Sequence, residues 1–377
     1  MDSLRTSSRQ SGLIVPLYAA LLLMLLTVCA CTKDHQKPKS SEPTIDLVPL
    51  DTMKIEGSDL LLNRVRDVVI ANQEETLLAL INDDTNEIIV IDTEGNHINT
   101  IGQTGTGPED IGRVSAIGFH ENENIILYDG AQDFIKKFNL SGDLVDLAPG
   151  ILEDGMWIRA PRIFTRGSHI YLGIEEARDS GEDFWTSPTV AQLDLEGDLV
   201  DQYGTYDPAL EETGRFYKYA NILLDESEIY TTHRTLPYIQ VLDYRTGESR
   251  GRFGMQSGSF LISDEQIQLS DSREVRNQKN LERSFVGNSF ASGSYFYFYF
   301  FNFTEQYWED SHPNSKQHFF MIYEKDKPWE AVGEIRLPYL PLHVNRNGVV
   351  YLLKNDDPDD FTVTTQQIMI NQEHAPS

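Results

Sequence analysis

Three closely spaced glycines, Gly102, Gly105 and Gly107, are the first residues whose spacing could serve chemistry, because glycine-rich loops cradle phosphates. A phosphate loop also needs Lys and Ser or Thr after its last glycine, since the ammonium balances the phosphate charge. Residues 108–110 (PED) stand there instead and would repel an anion, and the next run has the pattern of a strand. The sequence therefore predicts a turn-forming connector rather than a phosphate site.

Catalytic and metal-binding chemistry lacks a local motif in this chain. The nine histidines form no HExxH motif and no i, i+4 pair, and no G-x-S-x-G elbow is present. The acidic loop at 354–361 lacks the spacing and central glycine of an EF-hand. The sequence predicts no cofactor, no metal site and no catalytic residue.

A recurrence of basic residues is the sharpest feature. One arginine stands near the start of each of six β-rich repeats, with Arg64 and Arg159 as alternatives to the first and third: Arg66, Arg113, Arg162, Arg215, Arg283 and Arg336. Guanidinium groups bind carboxylate, sulfate or phosphate through two parallel hydrogen bonds. These six residues are therefore predicted to bind an anionic ligand. The alternative is that each arginine ties its connector to an Asp or Glu of the neighbouring repeat.

Such a ring needs a scaffold that brings distant segments together. From about Leu60 onward, alternating β-rich runs separated by turn residues dominate the sequence. The clearest copy holds four strands, with sequences VSAIGF, IILYD, FIKKFNL and LVDL. Its turn glycine, Gly142, recurs as Gly95, Gly197 and Gly247 at intervals of about 50 residues, which is the length of a four-stranded propeller blade.

The repeat count predicts an all-β fold, a six-bladed β-propeller with four-stranded blades. The predicted blades are Arg64–Gly102, Arg113–Leu147, Arg159–Tyr203, Arg215–Gly254, Arg283–Leu337 and Leu342–Ile370. Only three strands are recognisable in the last blade. The segment Thr44–Ile55 is predicted to supply the fourth, because an N-terminal strand in the last blade closes the ring and covers a sheet edge.

Two further segments have distinct predictions. Asp264–Phe285 is charged and rich in helix formers, so we expect a short helical insertion capped at Ser263 or Asp264. The aromatic run Ser294–Trp308 alternates tyrosine and phenylalanine, which suits the second strand of blade five, covered on both faces. If the strand were exposed, its tyrosines could stack on sugar rings.

The string GQTGTGPEDIGRVSAIGFHENENIILYD, followed by FIKKFNLSGDLV, resembles the six-bladed propeller lipoproteins of Bacteroidetes and related bacteria. Their broader relatives are TolB-like and NHL-type propellers. The linker of that family usually reads G-x-G-P-G-E-F before an Arg; here Glu109 replaces the third Gly and Ile111 the Phe, while Arg113 is kept. The resemblance is clearest over blade two, and it implies a propeller fold and an exported address but little chemistry.

The N-terminus has the pattern of an export signal. Arg5 and Arg9 precede the apolar run Leu13–Leu26, which is short for a permanent spanning helix and ends in VCAC. This resembles a bacterial lipoprotein signal in which Cys31 becomes the lipidated first residue. We therefore expect a signal peptide at 1–30, a flexible tether at 31–43 and the propeller at 44–377. An ordinary signal peptide or a membrane anchor helix is the alternative.

The composition limits the possible partners. The formal net charge is -28 and no basic run offsets it, so nucleic-acid phosphates would be repelled. The predicted partners are a lipid membrane through acylated Cys31 and a glycan, peptide or envelope protein. We expect a non-enzymatic binding or scaffold module in the cell envelope. The alternative is a metal-dependent hydrolase or lyase whose channel ion is held by Asn72, Asn221, Asn288 and Asn345.

Overall fold

The protein is an all-β body built from small antiparallel sheets. A computed structural model describes residues 44–55, 65–121, 123–150, 152, 156–176, 185–210, 220–254, 257–268, 270–327, 330–357 and 360–371. Residues Thr44–Asn371 form one compact unit, and its first strand is β1 (Thr44–Lys54). The signal peptide and tether predicted at 1–43 lie outside the described residues. Among those residues, no helix is both long and apolar enough to cross a membrane.

The strands form six blades in chain order. Blade one holds β2 (Val65–Ala71), β3 (Leu77–Asn82), β4 (Ile88–Asp92) and β5 (His97–Ile101). Blade two holds β6 (Val114–His120), β7 (Asn124–Asp129), β8 (Phe134–Asn139) and β9 (Leu144–Pro149). Blade three holds β10 (Met156–Arg166), β11 (His169–Glu176), β12 (Val190–Asp194) and β13 (Leu199–Tyr203). Blade four holds β14 (Ala220–Asp225), β15 (Glu228–His233), β16 (Tyr238–Asp243) and β17 (Ser249–Gly254).

The last two blades depart from this simple order. In blade five the first strand is broken into β18 (Ser284–Val286) and β19 (Phe290–Ser292), which both pair with β20 (Tyr295–Asn302). The blade continues with β21 (Gln317–Glu324) and β22 (Ala331–Leu337). Blade six holds β23 (Leu340–Val344), β24 (Val349–Asn355) and β25 (Thr362–Asn371). The predicted six-bladed propeller is confirmed.

Strand β1 is the fourth strand of blade six. It runs antiparallel to β25, from the pair Thr44 and Asn371 to the pair Lys54 and Thr362. The sheet order is therefore β1, β25, β24, β23, as predicted from the missing strand. The first strand of the body thus covers the edge of the last, which would otherwise offer unpaired N–H and C=O groups to another chain.

Adjacent blades pack face to face through the strands in the middle of each sheet. One hydrophobic cluster joins Ile88 and Val90 of blade one to Ile125 and Leu127 of blade two. These middle strands are covered on both faces, so their sequences are continuous apolar runs rather than alternating ones. The outer strands are more exposed, as in β5, where only Ile101 is buried.

The aromatic strand β20 belongs to the core. Its residues from Phe296 to Asn302 are all buried, and Phe300 stacks on Phe319 of β21 with ring centroids 5.0 Å apart. The expectation of a strand covered on both faces is met, so stacking on sugars has no exposed surface here.

In the described part of the chain, two short α-helices lie between strands. The first, α1 (Arg273–Leu281), falls inside the charged segment before blade five. Its N-cap is Ser272, which accepts a hydrogen bond from the Val275 amide, rather than Ser263 or Asp264. The second, α2 (Glu305–Asp310), follows the aromatic strand and was not predicted from the sequence.

Candidate functional site

A cavity of about 470 Å³ lies at one end of the central channel. All six blades contribute to its lining. Its rim includes Gln73, Glu121 and Gly167, each of which lies in the turn between the first and second strands of its blade. The cavity therefore opens at the mouth where the first strands end, opposite the mouth where they begin. Its size lies within the range of roughly 300–1,000 Å³ that is usual for small-molecule sites.

Backbone irregularities set the side chains of this cavity. Strand register shifts between Ile158 and Ile163 in β10, just before Arg162, and between Pro341 and His343 in β23. Such bulges turn a side chain away from the direction that strict alternation would give it. In blade five, the pairing with β20 is interrupted between β18 and β19, although the Gly287 amide still donates to the Tyr299 carbonyl at 3.0 Å.

Arg162 reaches across the channel and joins three blades. It is 7% exposed. Its Nη1 donates to the carbonyl of Ser289 in blade five at 3.2 Å, and its Nη2 donates to the carbonyl of Val69 in blade one at 3.5 Å. The guanidinium carbon lies 4.7 Å from the ring centroid of Phe290, a cation–π contact. These contacts fix the plane of the guanidinium.

The charge of Arg162 has no anionic partner among the described residues. Its two hydrogen bonds go to neutral carbonyls, and the buried Nε makes none. Three of its five N–H groups are therefore without a protein acceptor. Burial lowers the pKa of Arg162 to about 10, so the group stays charged at neutral pH. A buried charge without a counter-charge is costly, and an anion in the cavity would relieve that cost.

A second charged group at the same mouth is fully compensated. Glu75 accepts hydrogen bonds from the Arg346 amide at 2.9 Å and from Arg346 Nε at 3.1 Å, which ties blade one to blade six. His343 Nε2 lies 3.6 Å from Glu75 Oε1, close enough for an ion pair but too far for a hydrogen bond. Burial favours a raised pKa for Glu75, but His343 and Arg346 outweigh burial and lower it.

The two histidines of the lining are held neutral. Burial lowers the pKa of His343 below its ordinary value, although Glu75 opposes the shift. Burial also lowers the pKa of His120, and Lys137 adds to the effect. His120 Nδ1 and His343 Nε2 are both buried and make no hydrogen bond within the described residues. The cavity thus contains several polar nitrogens that a ligand or water could satisfy.

Apolar side chains form the rest of the wall. Phe119, Phe164 and Phe290 line the cavity together with Val69 and Ile163. Against these apolar walls, the charge and the N–H groups of Arg162 offer a ligand an orienting contact.

Five of the six predicted arginines lie within the described residues, and their surroundings differ. Arg66 is the second residue of β2; it bonds Asp83 of its own blade and the carbonyl of Val114 in blade two, not an acidic residue of the neighbouring blade. Arg113 is exposed at the start of β6 and bonds the carbonyl of Gly130.

The other arginines are also dispersed. Arg283 precedes β18 and donates to the carbonyls of Lys279 and Glu265. Arg336 lies on β22, the outer strand of blade five, so no first strand begins there. Arg215 lies outside the described residues. Of the five predicted arginines within the described residues, Arg162 alone lines the cavity, and it does so from within β10.

The glycine-rich connector folds around Asp110. This carboxylate accepts hydrogen bonds from the Gly107 amide and from Gln103 Nε2, both at 2.7 Å. A Cβ at Gly105 would lie 2.2 Å from Asp110 Oδ2, so the close approach requires glycine. Gly102 has φ +80°, in the left-handed region that favours glycine. The connector is structural, as the sequence predicts.

Two functional groups of the cavity escaped sequence reasoning. His343 is the last but one residue of β23 and belongs to no sequence motif, and Glu75 lies in a turn with φ 57° that has no local motif. A polar residue at the end of an apolar first strand, such as His120 or His343, is the one signal that could have marked them.

The asparagines proposed for a channel ion do not converge. Asn72 and Asn345 each accept two backbone N–H groups in their own turns, and Asn221 donates to the carbonyl of Gly287. Within the described part of the chain, no group of three or more His, Cys, Asp or Glu side chains could hold a metal ion.

Comparisons with known proteins agree with the fold. Residues 26–147 match the DUF5128 family, described as a 6-bladed beta-propeller. A DUF4221 family member from Bacteroides vulgatus has 16% identity and a TM-score of 0.65, covering 88% of this chain and 99% of its own. A putative exported protein from Bacteroides fragilis has 13% identity and a TM-score of 0.58, covering 88% and 96%. No curated protein matches the chain. At these identities the likeness supports the propeller fold and leaves function to the site.

Proposed function

We propose that this protein is a non-enzymatic binding module that holds a small anionic ligand in its channel, against Arg162. The single observation that carries the proposal is the buried Arg162 guanidinium, which has, among the described residues, three N–H groups without an acceptor and no carboxylate partner. The sequence predicts a ring of six arginines at the mouth where the first strands begin. The present proposal instead concerns one of them, Arg162, at the opposite mouth.

Energetic arguments favour a ligand over a purely structural role. A structural arginine in a hub is normally paired with a carboxylate, because the pair offsets the loss of hydration. Here the nearest acidic group of the lining, Glu75, is already bonded by Arg346. A bound anion would accept the remaining N–H groups of Arg162, and such charge-assisted bonds are among the strongest in proteins.

We also propose that the module is exported and anchored by lipid at Cys31. The proposal rests on the apolar run Leu13–Leu26 followed by VCAC, and on the likeness to a protein described as putatively exported. The polar segment 32–43 would serve as a tether between membrane and propeller.

The test compares Arg162→Met with Arg113→Met, a matched control that removes an exposed arginine from the opposite mouth. Thermal unfolding of each protein is followed while acetate, phosphate or sulfate is titrated at constant ionic strength. An anion that binds only the native state raises the melting temperature in proportion to its occupancy. We expect the native protein and the Arg113→Met variant to be stabilised, and the Arg162→Met variant to be unresponsive.

Equal responses from the native protein and Arg162→Met would overturn the proposal, as would the absence of any response in all three proteins. Arg162→Gln, which keeps one donor for the Ser289 or Val69 carbonyl, serves if the methionine variant fails to fold.

A further inference from the structure

We infer that the ligand of this cavity is a monocarboxylic acid with an apolar body. The inference rests on the proposed function and specifies its ligand. Three features of the cavity lead to it: the balance of charge, the geometry of the guanidinium and the chemistry of the walls.

The charge balance favours a single negative charge. The lining contains two glutamates, Glu75 and Glu121, and two arginines, Arg162 and Arg166. Arg346 bonds Glu75 from just outside the lining, and both histidines have lowered pKa values and are neutral. Arg162 has no carboxylate partner among the described residues, while the turns at this mouth also carry Glu74, Glu123 and Glu226. A monoanion neutralises the charge of Arg162, whereas a phosphate dianion would bring a second negative charge close to these glutamates.

The guanidinium geometry favours a planar acceptor. The bonds to Ser289 and Val69 and the contact with Phe290 hold the group in one orientation. Its unused N–H groups are Nε–H and one on each terminal nitrogen, which is enough for both oxygens of a carboxylate. A carboxylate also lies in the plane of the guanidinium that it binds.

The walls favour an apolar body attached to the carboxylate. Phe119, Phe164 and Val344 line the cavity, as do the small side chains of Ala71 and Ala291. The cavity of about 470 Å³ exceeds what acetate would fill. An aromatic ring or a short acyl chain would bury apolar area there, at roughly 25 cal/mol per Å².

The experiment is calorimetric titration of the full-length protein with five probes: phenylacetate, hexanoate, acetate, phenylacetamide and inorganic phosphate. We expect phenylacetate or hexanoate to bind about tenfold or more tightly than acetate, because of the buried apolar area. Phenylacetamide should bind about tenfold or more weakly than phenylacetate, because it lacks the charge that pairs with Arg162.

Three variants locate the two halves of the site. Arg162→Lys keeps the charge but removes the paired N–H donors of the guanidinium. It should lower the affinity for phenylacetate by about tenfold. Ala71→Phe narrows the apolar part, and should abolish phenylacetate binding while acetate still binds. Arg113→Met should bind every probe as the native protein does.

The outcomes separate this inference from the proposed function. If phosphate binds in an Arg162-dependent manner and no carboxylate does, the inference of a monocarboxylic acid is wrong. The proposed function, anion binding at Arg162, would still hold. If phenylacetamide binds as well as phenylacetate, the cavity recognises apolar bodies alone and the inference is overturned. If no probe depends on Arg162, both proposals fail together.

Discussion

The protonation state of His318 is set by its neighbours. The Tyr299 hydroxyl donates to His318 Nδ1 at 2.7 Å, and the Pro313 carbonyl lies 3.1 Å from Nε2. A carbonyl can only accept, so Nε2 carries the single proton and Nδ1 accepts from the tyrosine. Burial lowers the pKa of His318 to about 3, and Lys316 contributes in the same direction.

We predict an acid-sensitive stability that originates partly at this residue. The unfolded chain takes up a proton near pH 6.5 and the folded protein does not, so stability falls as pH drops below 6.5. Between pH 7.5 and pH 5, His318 should cost about 2 kcal/mol of unfolding free energy. Urea unfolding at the two pH values measures this loss, and His318→Gln should show it reduced by that amount. An unchanged pH dependence in the variant would contradict the assignment.

A buried ion pair fixes the connector into blade two. Lys136 and Asp129 are both fully buried, with Nζ 3.0 Å from Oδ2. Asp129 also accepts from the amides of Gly112, Arg113 and Ala131, and Lys136 donates to the carbonyl of Asp110. Burial favours a raised pKa for Asp129, but these bonds outweigh it and lower the pKa.

We predict that Lys136→Met destabilises the protein by about 3–5 kcal/mol, because it leaves a buried carboxylate unpaired. Lys137→Met is the matched control, since the adjacent side chain points to the other face of β8 and is partly exposed. Denaturant unfolding of both variants tests this. Equal losses would mean that the pair contributes nothing specific.

Individual residues were the hardest to predict from the sequence. Arg162 was one of six candidates of equal standing, and nothing local distinguishes it from Arg66 or Arg336. Its role depends on a bulge in β10 and on a break in a strand more than a hundred residues away. Such contacts arise only when the blades meet.

Elements were far more predictable, because each depends on a short pattern. Apolar runs separated by turn glycines predict the blades. The strand-like segment Thr44–Ile55, which has no partner nearby in the sequence, predicts β1. The division of blade five's first strand into β18 and β19 was missed, since the sequence SFVGNSFAS shows a strand with a glycine and no more. The irregularity is imposed by the hub rather than by local preference.

We predict that β1 protects an edge more than it fills a core. Most of its side chains are exposed, with Met53 the buried exception within the strand. A chain that begins at Ile55 should fold, but should associate with increasing concentration because the edge of β25 is unpaired. Size-exclusion chromatography with light scattering measures this association. A synthetic peptide of residues 44–54 should restore the monomer by strand addition; a truncated chain that stays monomeric at all concentrations would contradict the prediction.

At the scale of the whole molecule, attachment to a membrane is the proposal with the clearest test. Cys31→Ser should remove the acylation site and move the protein from the membrane fraction to the soluble fraction. Metabolic labelling with an alkyne fatty acid should mark the native protein and not the variant. Cys29→Ser is the control and should keep both the label and the membrane association. Labelling that persists in Cys31→Ser would place the lipid elsewhere.

The pairing of β1 with β25 also has a temporal consequence. Strand β1 is synthesised long before its partner β25. It can pair only after Thr362–Asn371 has been synthesised. Blade six, which supplies His343 and Val344 to the cavity, is sealed only then. A chain that stops before β25 cannot complete blade six, so the cavity is enclosed only after Thr362–Asn371 has been synthesised.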